Sequence, residues 1–338
     1  MSWYHVAGNQ QDTVVCTCVR LARNLAGYPF PSRLDAAGAK EVIGRVGTVL
    51  ERNGFLSTDF SEITRGTAES LAEKRFISPR FARESLPHAL FLNDPCNLSV
   101  AVCEEDHIRI RCILPGLALK DTCEGALKVE ALLDRELELA FDESLGYLTA
   151  SPTQLGTAME VSVMLSLPLL AESGRMAGLT RRLEQTGLVL KGLGVESRGP
   201  LGGLYRLSNR MTLGVREEEI SEAVAEGVQA LITAERELRG NMRGEDRDKL
   251  TDRINRAEGT LRHAHLLSAA EAVELMGLLR LGAAMGVTNG VRVEVLTALL
   301  TEAMPATLTL GVEPPPKNPT EEEALRARVV RERVFGNT

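Results

Sequence analysis

Residues 104–116 read EEDHIRIRCILPG, and their alternation is the clearest structural signal in the chain. Between residues 105 and 111, polar and charged side chains alternate with positions that are mostly isoleucine. Because successive side chains of a strand point to opposite faces, this spacing predicts a β-strand whose polar face carries Glu105, His107, Arg109 and Arg111. A carboxylate, an imidazole and two guanidiniums in a row are more typical of a site than of a solvated surface.

The composition places the chain among ordinary globular proteins. Its 338 residues are 44% hydrophobic and 25% charged, with a net charge of −7. This negative balance argues against a general nucleic-acid or membrane-surface binder. No apolar run reaches the ~18 residues of a membrane span, and the N-terminal stretch MSWYHVAGNQQD lacks the features of a signal peptide. We therefore expect a cytoplasmic protein with no nucleic-acid or membrane partner.

The cysteines do not form a metal-binding pattern. They include no CxxC pair and have no histidine at ligand spacing, so we expect no metal site and reduced thiols. Cys16 and Cys18 would share one face of a strand, which leaves a metal or redox role open. The simpler interpretation is that both are small, buried or half-buried side chains.

The chain changes character near residue 214. Before it, short apolar runs alternate with glycine and proline, which indicates an α+β domain over residues 1–214. After it, apolar residues follow a helical period, and we expect an all-helical region over residues 215–338. This region should contain a long helix from about residue 216 and further helices near 246–266, 268–284 and 292–303. A proline-rich linker then precedes a charged terminal helix, for which Thr320 is a candidate N-cap.

Several motifs in order resemble those of the phosphagen (ATP:guanidino) kinases, and most resemble the bacterial protein-arginine kinases. They are VRLARNLAGYPFP, EEDHIRIRCILPG, AFDESLGYLTASPTQLGTAMEVSVML and LKGLGVES followed by LGGLYRLSNRMTLG. The resemblance implies an antiparallel sheet flanked by helices, followed by a helical dimerisation and regulatory domain. It also implies transfer of the γ-phosphoryl group of Mg-ATP to a guanidinium nitrogen, which needs carboxylates for the guanidinium and cations for the phosphates.

The carboxylates of the substrate half are retained. Glu105 stands at the position of the family's catalytic glutamate, and Glu196 stands where protein-arginine kinases have a second substrate carboxylate. The loop around Glu196 departs from the family pattern RGIYGEG, so a solvated loop glutamate stays open as the alternative.

The phosphate-binding arginines of the family are largely replaced. Arg20 and Arg109 match family arginines, whereas Cys18, Glu160 and Lys191 stand where the family has arginine, and Arg75 replaces a family histidine. Losing two arginines outright would cost roughly 3–6 kcal/mol in phosphate binding, or about two to four decades in affinity or rate. Lys191 and Arg75 could restore part of this charge, although lysine lacks the bidentate fork of arginine.

The terminal helix carries a reduced form of a regulatory motif. Protein-arginine kinases bind phosphoarginine through an Arg-Asp-x-x-Arg-Ala sequence, and the corresponding stretch here is EEALRA. By resemblance, Glu323 could hold a guanidinium and Arg326 a phosphate. A charged, solvated helix end is the alternative.

Three hypotheses follow. In the leading one, the chain is a degenerate protein-arginine-kinase-like adaptor (a pseudokinase) in protein quality control, which binds arginine side chains of clients or regulatory proteins and needs no cofactor. In the second, it is an active, Mg-ATP-dependent protein-arginine kinase with a rebuilt phosphate cage. In the third, it is a structural dimer with an empty cleft. A homodimer is the family expectation, and under the leading hypothesis Glu160 should lie between Arg20 and Arg109.

Overall fold

The computed structural model describes residues 2–194 and 200–336. The β-strands are β1 (Val14–Arg23), β2 (Leu56–Asp59), β3 (Ala89–Leu92), β4 (Leu98–Val102), β5 (Ile108–Pro115), β6 (Phe141–Asp142), β7 (Gly146–Tyr147), β8 (Met159–Ser166), β9 (Leu188–Gly192) and β10 (Leu204–Asn209). Eight of them form one antiparallel sheet in the order β2-β3-β4-β5-β1-β8-β10-β9, and β6 and β7 pair as a separate hairpin.

Helices cover the sheet and form the C-terminal part of the chain. The α-helices are α1 (Ala36–Arg52), α2 (Arg65–Glu73), α3 (Leu119–Asp134), α4 (Pro168–Glu172), α5 (Met176–Gln185), α6 (Glu217–Asn241), α7 (Gly244–His263), α8 (Ala269–Ala284), α9 (Val293–Glu302), α10 (Pro305–Thr309) and α11 (Pro319–Phe335). This arrangement confirms the predicted α+β class, with an antiparallel sheet flanked by helices and a helical C-terminal region.

The main hydrophobic core lies on one face of the sheet. Val19 and Leu21 of β1 are fully buried there, together with apolar residues of α1, α3 and α6. The long helix α6 therefore packs with the sheet, whereas α7, α8, α9 and α11 share a separate core. The domain boundary predicted at residue 214 stays a prediction. By packing, α6 belongs with the sheet, and the helices with a core of their own begin after it.

The opposite face of the sheet carries Cys16, Cys18 and Arg20 of β1, whereas Arg23 points to the main-core side and pairs with Glu130 of α3. Alternation turns Cys16, Cys18 and Arg20 away from the main core, and part of their face is covered by a smaller apolar cluster that includes Trp3, Phe76 and Phe81. The remainder of this face is the candidate cleft.

The strand predicted from residue 105 begins later than expected. A tight turn spans Cys103–His107, closed by hydrogen bonds from Cys103 N to His107 O and from Glu104 N to Asp106 O. Glu105 therefore lies in a turn before β5, and only Arg109 and Arg111 follow the predicted alternation. The His107 ring faces the loop after β1 instead, because its Nδ1 accepts a hydrogen bond from Leu25 N (3.0 Å) and its Nε2 donates one to Pro29 O (2.9 Å).

The predicted C-terminal helices are present, with one difference at the last helix. Asn318, and not Thr320, is the N-cap of α11, since its side chain accepts a hydrogen bond from Glu321 N (3.0 Å). Pro319 follows at the first helical position, where its missing N–H and fixed φ are favourable. Within residues 2–194 and 200–336, no helix is both long and apolar enough to cross a bilayer.

Candidate functional site

Three neighbouring strands place two arginines and a glutamate side by side in the cleft. Arg20 on β1 lies opposite Arg111 on β5 and opposite Glu160 on β8. Directly opposed residues of antiparallel strands have Cβ atoms about 4.5–5.5 Å apart, so their side chains interact. The guanidinium of Arg20 therefore lies between the guanidinium of Arg111 and the carboxylate of Glu160.

Glu160 forms ion pairs with arginines on both sides. Arg20 donates through Nη2 to Oε2 of Glu160, and Arg206 on β10 donates through Nη1 to Oε1 at 3.3 Å. Burial alone would raise the pKa of Glu160, but the attraction of Arg20 and Arg206 outweighs it and holds the pKa below its ordinary value. Two positive charges of the cleft are thus engaged by one internal carboxylate.

Arg109 is engaged by the turn that precedes its strand. Its Nη2 donates to Asp106 Oδ2 (2.9 Å) and to Glu105 Oε2 (3.4 Å), and its Nε lies 3.6 Å from Glu104 Oε2. The expected position of Glu160 between Arg20 and Arg109 is therefore not observed. Each of these arginines instead has its own carboxylate partner, and the candidate catalytic residue Glu105 contacts Arg109.

Arg111 differs from its neighbours because it forms no salt bridge in the described part of the chain. It is only 7% exposed, and its Nη1 donates to the backbone oxygen of Arg75. Burial lowers the pKa of Arg111 to about 10. The positive charges of Arg20 and Arg109 act in the same direction, and the nearby Glu104 carboxylate acts against them.

The remaining predicted site residues are dispersed. Cys18 is half-buried and lies opposite Ser162 of β8. Lys191 is exposed on the edge strand β9, where its backbone position lies opposite that of Arg206 on β10. Arg75 has a left-handed backbone (φ 65°), and its Nη2 lies 3.3 Å from Met164 Sδ. The predicted second carboxylate, Glu196, lies outside the described residues.

A small pocket opens between these charged residues. Its volume is about 170 Å³, and its lining includes Arg20, Arg109, Glu160, Asn209 and Arg210. Drug-sized and cofactor-sized ligands usually occupy clefts of about 300–1,000 Å³. The pocket is therefore smaller than a site that encloses a nucleotide.

Sequence reasoning missed four charged residues of this cleft. Arg111 was placed on the correct strand face but given no role, and Glu104, Asp106 and Arg206 were not singled out. The alternation in GLYRLSN could have placed Arg206 on the face of β10 that meets Glu160. The turn at residues 103–107 had no comparable signal, because its geometry depends on the left-handed backbone of Cys103 (φ 65°).

The candidate phosphoarginine-binding residues lie on α11 in different surroundings. Arg326 is 1% exposed, and its guanidinium donates to Ala303 O (2.8 Å), Leu267 O (3.0 Å) and Glu322 Oε1. All three nitrogens are engaged within the helical region, which disfavours a direct phosphate contact. Glu323 is half-buried on the same helix.

The described residues contain no cluster suited to a metal ion. Within residues 2–194 and 200–336, no three histidine, cysteine, aspartate or glutamate side chains converge at ligand distances.

Comparison with known proteins places the chain in a family. Residues 40–238 match the model of the ATP:guanido phosphotransferase C-terminal catalytic domain, and residues 247–337 match the protein-arginine kinase McsB C-terminal domain. The protein-arginine kinase of Pelotomaculum thermopropionicum is 35% identical over 344 residues, covering 99% of this chain and 96% of its own length. That of Caldanaerobacter subterraneus subsp. tengcongensis is also 35% identical, covering 95% and 96%.

Solved structures support the fold. The duplicated taurocyamine kinase from Schistosoma mansoni superposes with a TM-score of 0.62 at 23% identity, covering 77% of this chain and 40% of that chain. Lombricine kinase gives a TM-score of 0.60 at 21% identity, covering 70% of each chain. The family motifs, the sheet and its helical extension agree with both comparisons, and the chain belongs to the ATP:guanido phosphotransferase family, in which it shares about 35% identity with protein-arginine kinases over nearly its full length.

Proposed function

We propose that this chain is a protein-arginine-kinase-like adaptor whose nucleotide-phosphate site is neutralised by its own side chains. The observation that carries the proposal is the bridge from Glu160 to Arg20 and Arg206. Phosphoryl transfer needs free cations that meet the developing charge on the phosphate. Here the arginine of β1 that survives from the family pattern is already engaged.

The energetic cost of reopening this site opposes ATP binding. A nucleotide phosphate would have to replace Glu160 on two guanidiniums while the carboxylate stayed nearby. At an effective dielectric of about 20, two unit charges ~7 Å apart repel by roughly 2 kcal/mol. The absence of an arginine at Cys18 removes a further charge-assisted hydrogen bond, of about 1.5–3 kcal/mol. We therefore expect affinity for Mg-ATP to be weaker by several decades than an intact arginine cage would provide.

The adaptor would act through protein partners. Of the carboxylates in the turn before β5, Glu105 is the most exposed, and its contact with Arg109 is long (3.4 Å). A client arginine side chain would replace this contact by bidentate hydrogen bonds of its own. By its family relationship we propose that the protein works in the cytoplasm as a homodimer in protein quality control. Light scattering on the purified full chain measures the oligomeric state, and a monomer at micromolar concentration would contradict the dimer.

An active protein-arginine kinase is the second candidate. Arg109, Arg111, Arg206 and Lys191 still bring positive charge to the cleft, and the relatives with about 35% identity are named protein-arginine kinases. In this case the ion pairs of Glu160 would have to open when nucleotide binds. Lys191 and Arg75 would then serve as phosphate contacts, with Glu105 and Glu196 on the substrate guanidinium.

Phosphoarginine formation separates the two functions. The full chain is incubated with Mg-ATP and an unfolded arginine-rich protein, and phosphoarginine is measured by mass spectrometry under non-acidic conditions. The adaptor proposal predicts no signal above that of a Glu105→Gln variant. Phosphoarginine that depends on Glu105 would establish the kinase and overturn the adaptor proposal.

A further inference from the structure

The sheet ends on one side in a strand whose outer edge is free. β2 pairs with β3 on its inner side, and it is the first strand in the sheet order. Within residues 2–194 and 200–336, the backbone groups of Leu56, Ser57 and Thr58 form no hydrogen bond outside this pairing. Alternate residues of an edge strand direct their N–H and C=O groups away from the sheet, so β2 presents donors and acceptors to solvent.

This edge lacks the features that commonly protect such strands. Proline, lysine and β-bulges prevent unwanted pairing at sheet edges, and the stretch FLSTDF over residues 55–60 pairs with β3 in a regular register without any of them. Leu56 instead places an apolar side chain in solvent, with 71% of its surface exposed. An apolar, unprotected edge is a template on which another strand can pair.

A groove follows the α1 side of this edge. Its volume is about 760 Å³, and β2 contributes Ser57 and Asp59, which lie opposite Phe91 and Ala89 of β3. The α1 wall includes Gly44, where an added Cβ would meet no atom within 4 Å. Ligand-binding clefts usually have about 300–1,000 Å³. Every second side chain of a strand added beside β2 would point to the α1 side, where this groove has room for it.

The groove carries an excess of negative charge. Its lining includes the carboxylates of Glu51, Asp59 and Glu84 and the ammonium of Lys40. The arginines next to Glu51 and Glu84 in sequence pair with other carboxylates, and in the described part of the chain these three carboxylates form no salt bridge. A second copy of the chain would bring the same carboxylates together across a two-fold axis, where like charges repel. The charge therefore favours a basic partner.

A buried acceptor at the Asp59 end of the groove also lacks a partner. His88 lines the groove and is only 8% exposed. Its Nδ1 donates to Leu86 O (2.6 Å), which leaves Nε2 as a hydrogen-bond acceptor. No donor from the described residues reaches Nε2. A basic side chain brings N–H donors, the groups that this acceptor lacks.

We propose that the β2 edge binds an extended segment of a partner protein in which arginine or lysine alternates with apolar residues. The segment adds a strand to the sheet through main-chain hydrogen bonds. On the α1 side, its basic residues lay their aliphatic stems along Ile43 and Phe60 and place their charges beside Glu51 and Asp59. On the other side, its apolar residues cover Leu56. The inference does not depend on whether the cleft transfers phosphate.

The test measures binding of a labelled, blocked peptide to the full chain by fluorescence anisotropy. In the probe, arginine and valine alternate over about eight residues, a common strand length. Two peptides of equal length are the controls. Glutamate in place of arginine reverses the charge, whereas proline in place of valine keeps the charge but removes the N–H groups that a strand needs. Both controls should bind more weakly by about 10-fold or more.

Variants of the edge give a second test. Leu56→Lys introduces the residue that often protects edge strands and should weaken probe binding by about 10-fold, whereas Leu266→Lys adds the same charge at another exposed leucine and should change it less than about twofold. Glu51→Gln and Asp59→Asn should each weaken binding by about two- to fivefold, the range of exposed ion pairs. Glu143→Gln is the matched control, because Glu143 is exposed and lies outside the groove.

The outcomes separate the edge from other sites. Preference for the arginine–valine peptide, together with its loss in Leu56→Lys, supports the proposal. Equal binding of the proline peptide, or parent-like binding by Leu56→Lys, refutes it. Binding that is lost in Glu105→Gln but kept in Leu56→Lys would assign the peptide to the cleft, which refutes the edge site and leaves the adaptor proposal standing. A parent dimer that Leu56→Lys converts to monomers in light scattering would identify a second copy as the occupant and overturn the proposal.

Discussion

Replacement of Glu160 by glutamine tests whether this carboxylate blocks the nucleotide-phosphate site. The substitution keeps the size of the side chain but removes its charge, which releases Arg20 and Arg206. Removing a repulsion of roughly 2 kcal/mol and freeing one guanidinium hydrogen bond of about 1.5–3 kcal/mol should increase Mg-ATP affinity by about three decades. Calorimetric titration of parent and variant measures this gain directly.

The same variant should lose folding stability. The two arginines approach each other from β1 and β10 at the same carboxylate and would repel each other without its negative charge. Since the ion-paired side chains are about one-quarter to one-third exposed, we expect a loss of about 1–3 kcal/mol in the free energy of unfolding. Glu172→Gln is the matched control, because Glu172 pairs with Arg253 on the surface (2.7 Å) and its loss should cost below about 1 kcal/mol. A Glu160→Gln protein that is destabilised but binds Mg-ATP no better than the parent would refute the blocking role.

The effect of Glu160 on stability should depend on pH in one direction. Its pKa is depressed in the folded protein, so its contribution is complete above the unfolded-state pKa of about 4.3. As the pH falls through the depressed folded value, the carboxylate is protonated and the contribution is lost. The difference in unfolding free energy between parent and Glu160→Gln should therefore shrink below about pH 4. A difference that stays constant from pH 7 to pH 3 would show that the pair does not stabilise the fold.

Three further predictions concern the rest of the molecule. Arg326→Met should lower the free energy of unfolding, measured by chemical denaturation, by roughly 3 kcal/mol or more, because it leaves buried backbone acceptors unpaired. Arg328 is exposed, so Arg328→Met should cost little. Equal losses in the two variants would contradict the structural role of Arg326. Gly277→Ala should destabilise α8, where the new Cβ would lie 2.5 Å from a backbone oxygen, whereas Gly259→Ala meets no atom within 4 Å and should be neutral or stabilising in thermal unfolding. Burial raises the pKa of the Cys16 thiol to about 12, so it should resist alkylation at pH 8 until the protein unfolds, and rapid labelling of the native chain would exclude its burial.

The fold could be predicted well from patterns that depend on neighbouring residues. Alternation in the stretch that contains β5 and helical periodicity after residue 214 are local signals, and they predicted the strand, except for its start, and the C-terminal helices. The start of β5 was displaced because the turn at Cys103–His107 is closed by contacts across the turn. Asn318 and Thr320 are both of a type preferred at N-caps, and the signal that selects Asn318 is Pro319, which is favourable at the first helical position.

The site could be predicted only in part, because its electrostatics depend on strand order. The sequence indicated that Glu160 replaces a cation, but not that its partners would be Arg20 and Arg206. These three residues come together only because β8 lies between β1 and β10 in the sheet. The pairing of β5 with β1 likewise sets Arg111 opposite Arg20, which the residues alone do not indicate.

The most direct test of the central claim is the affinity for Mg-ATP before and after the family arginines are restored. Calorimetry is carried out on the parent chain and on the double variant Cys18→Arg with Glu160→Arg. The neutralised site predicts no micromolar binding by the parent, and binding stronger by at least two decades in the double variant. Micromolar affinity of the parent for Mg-ATP, or an unchanged affinity in the double variant, would contradict it.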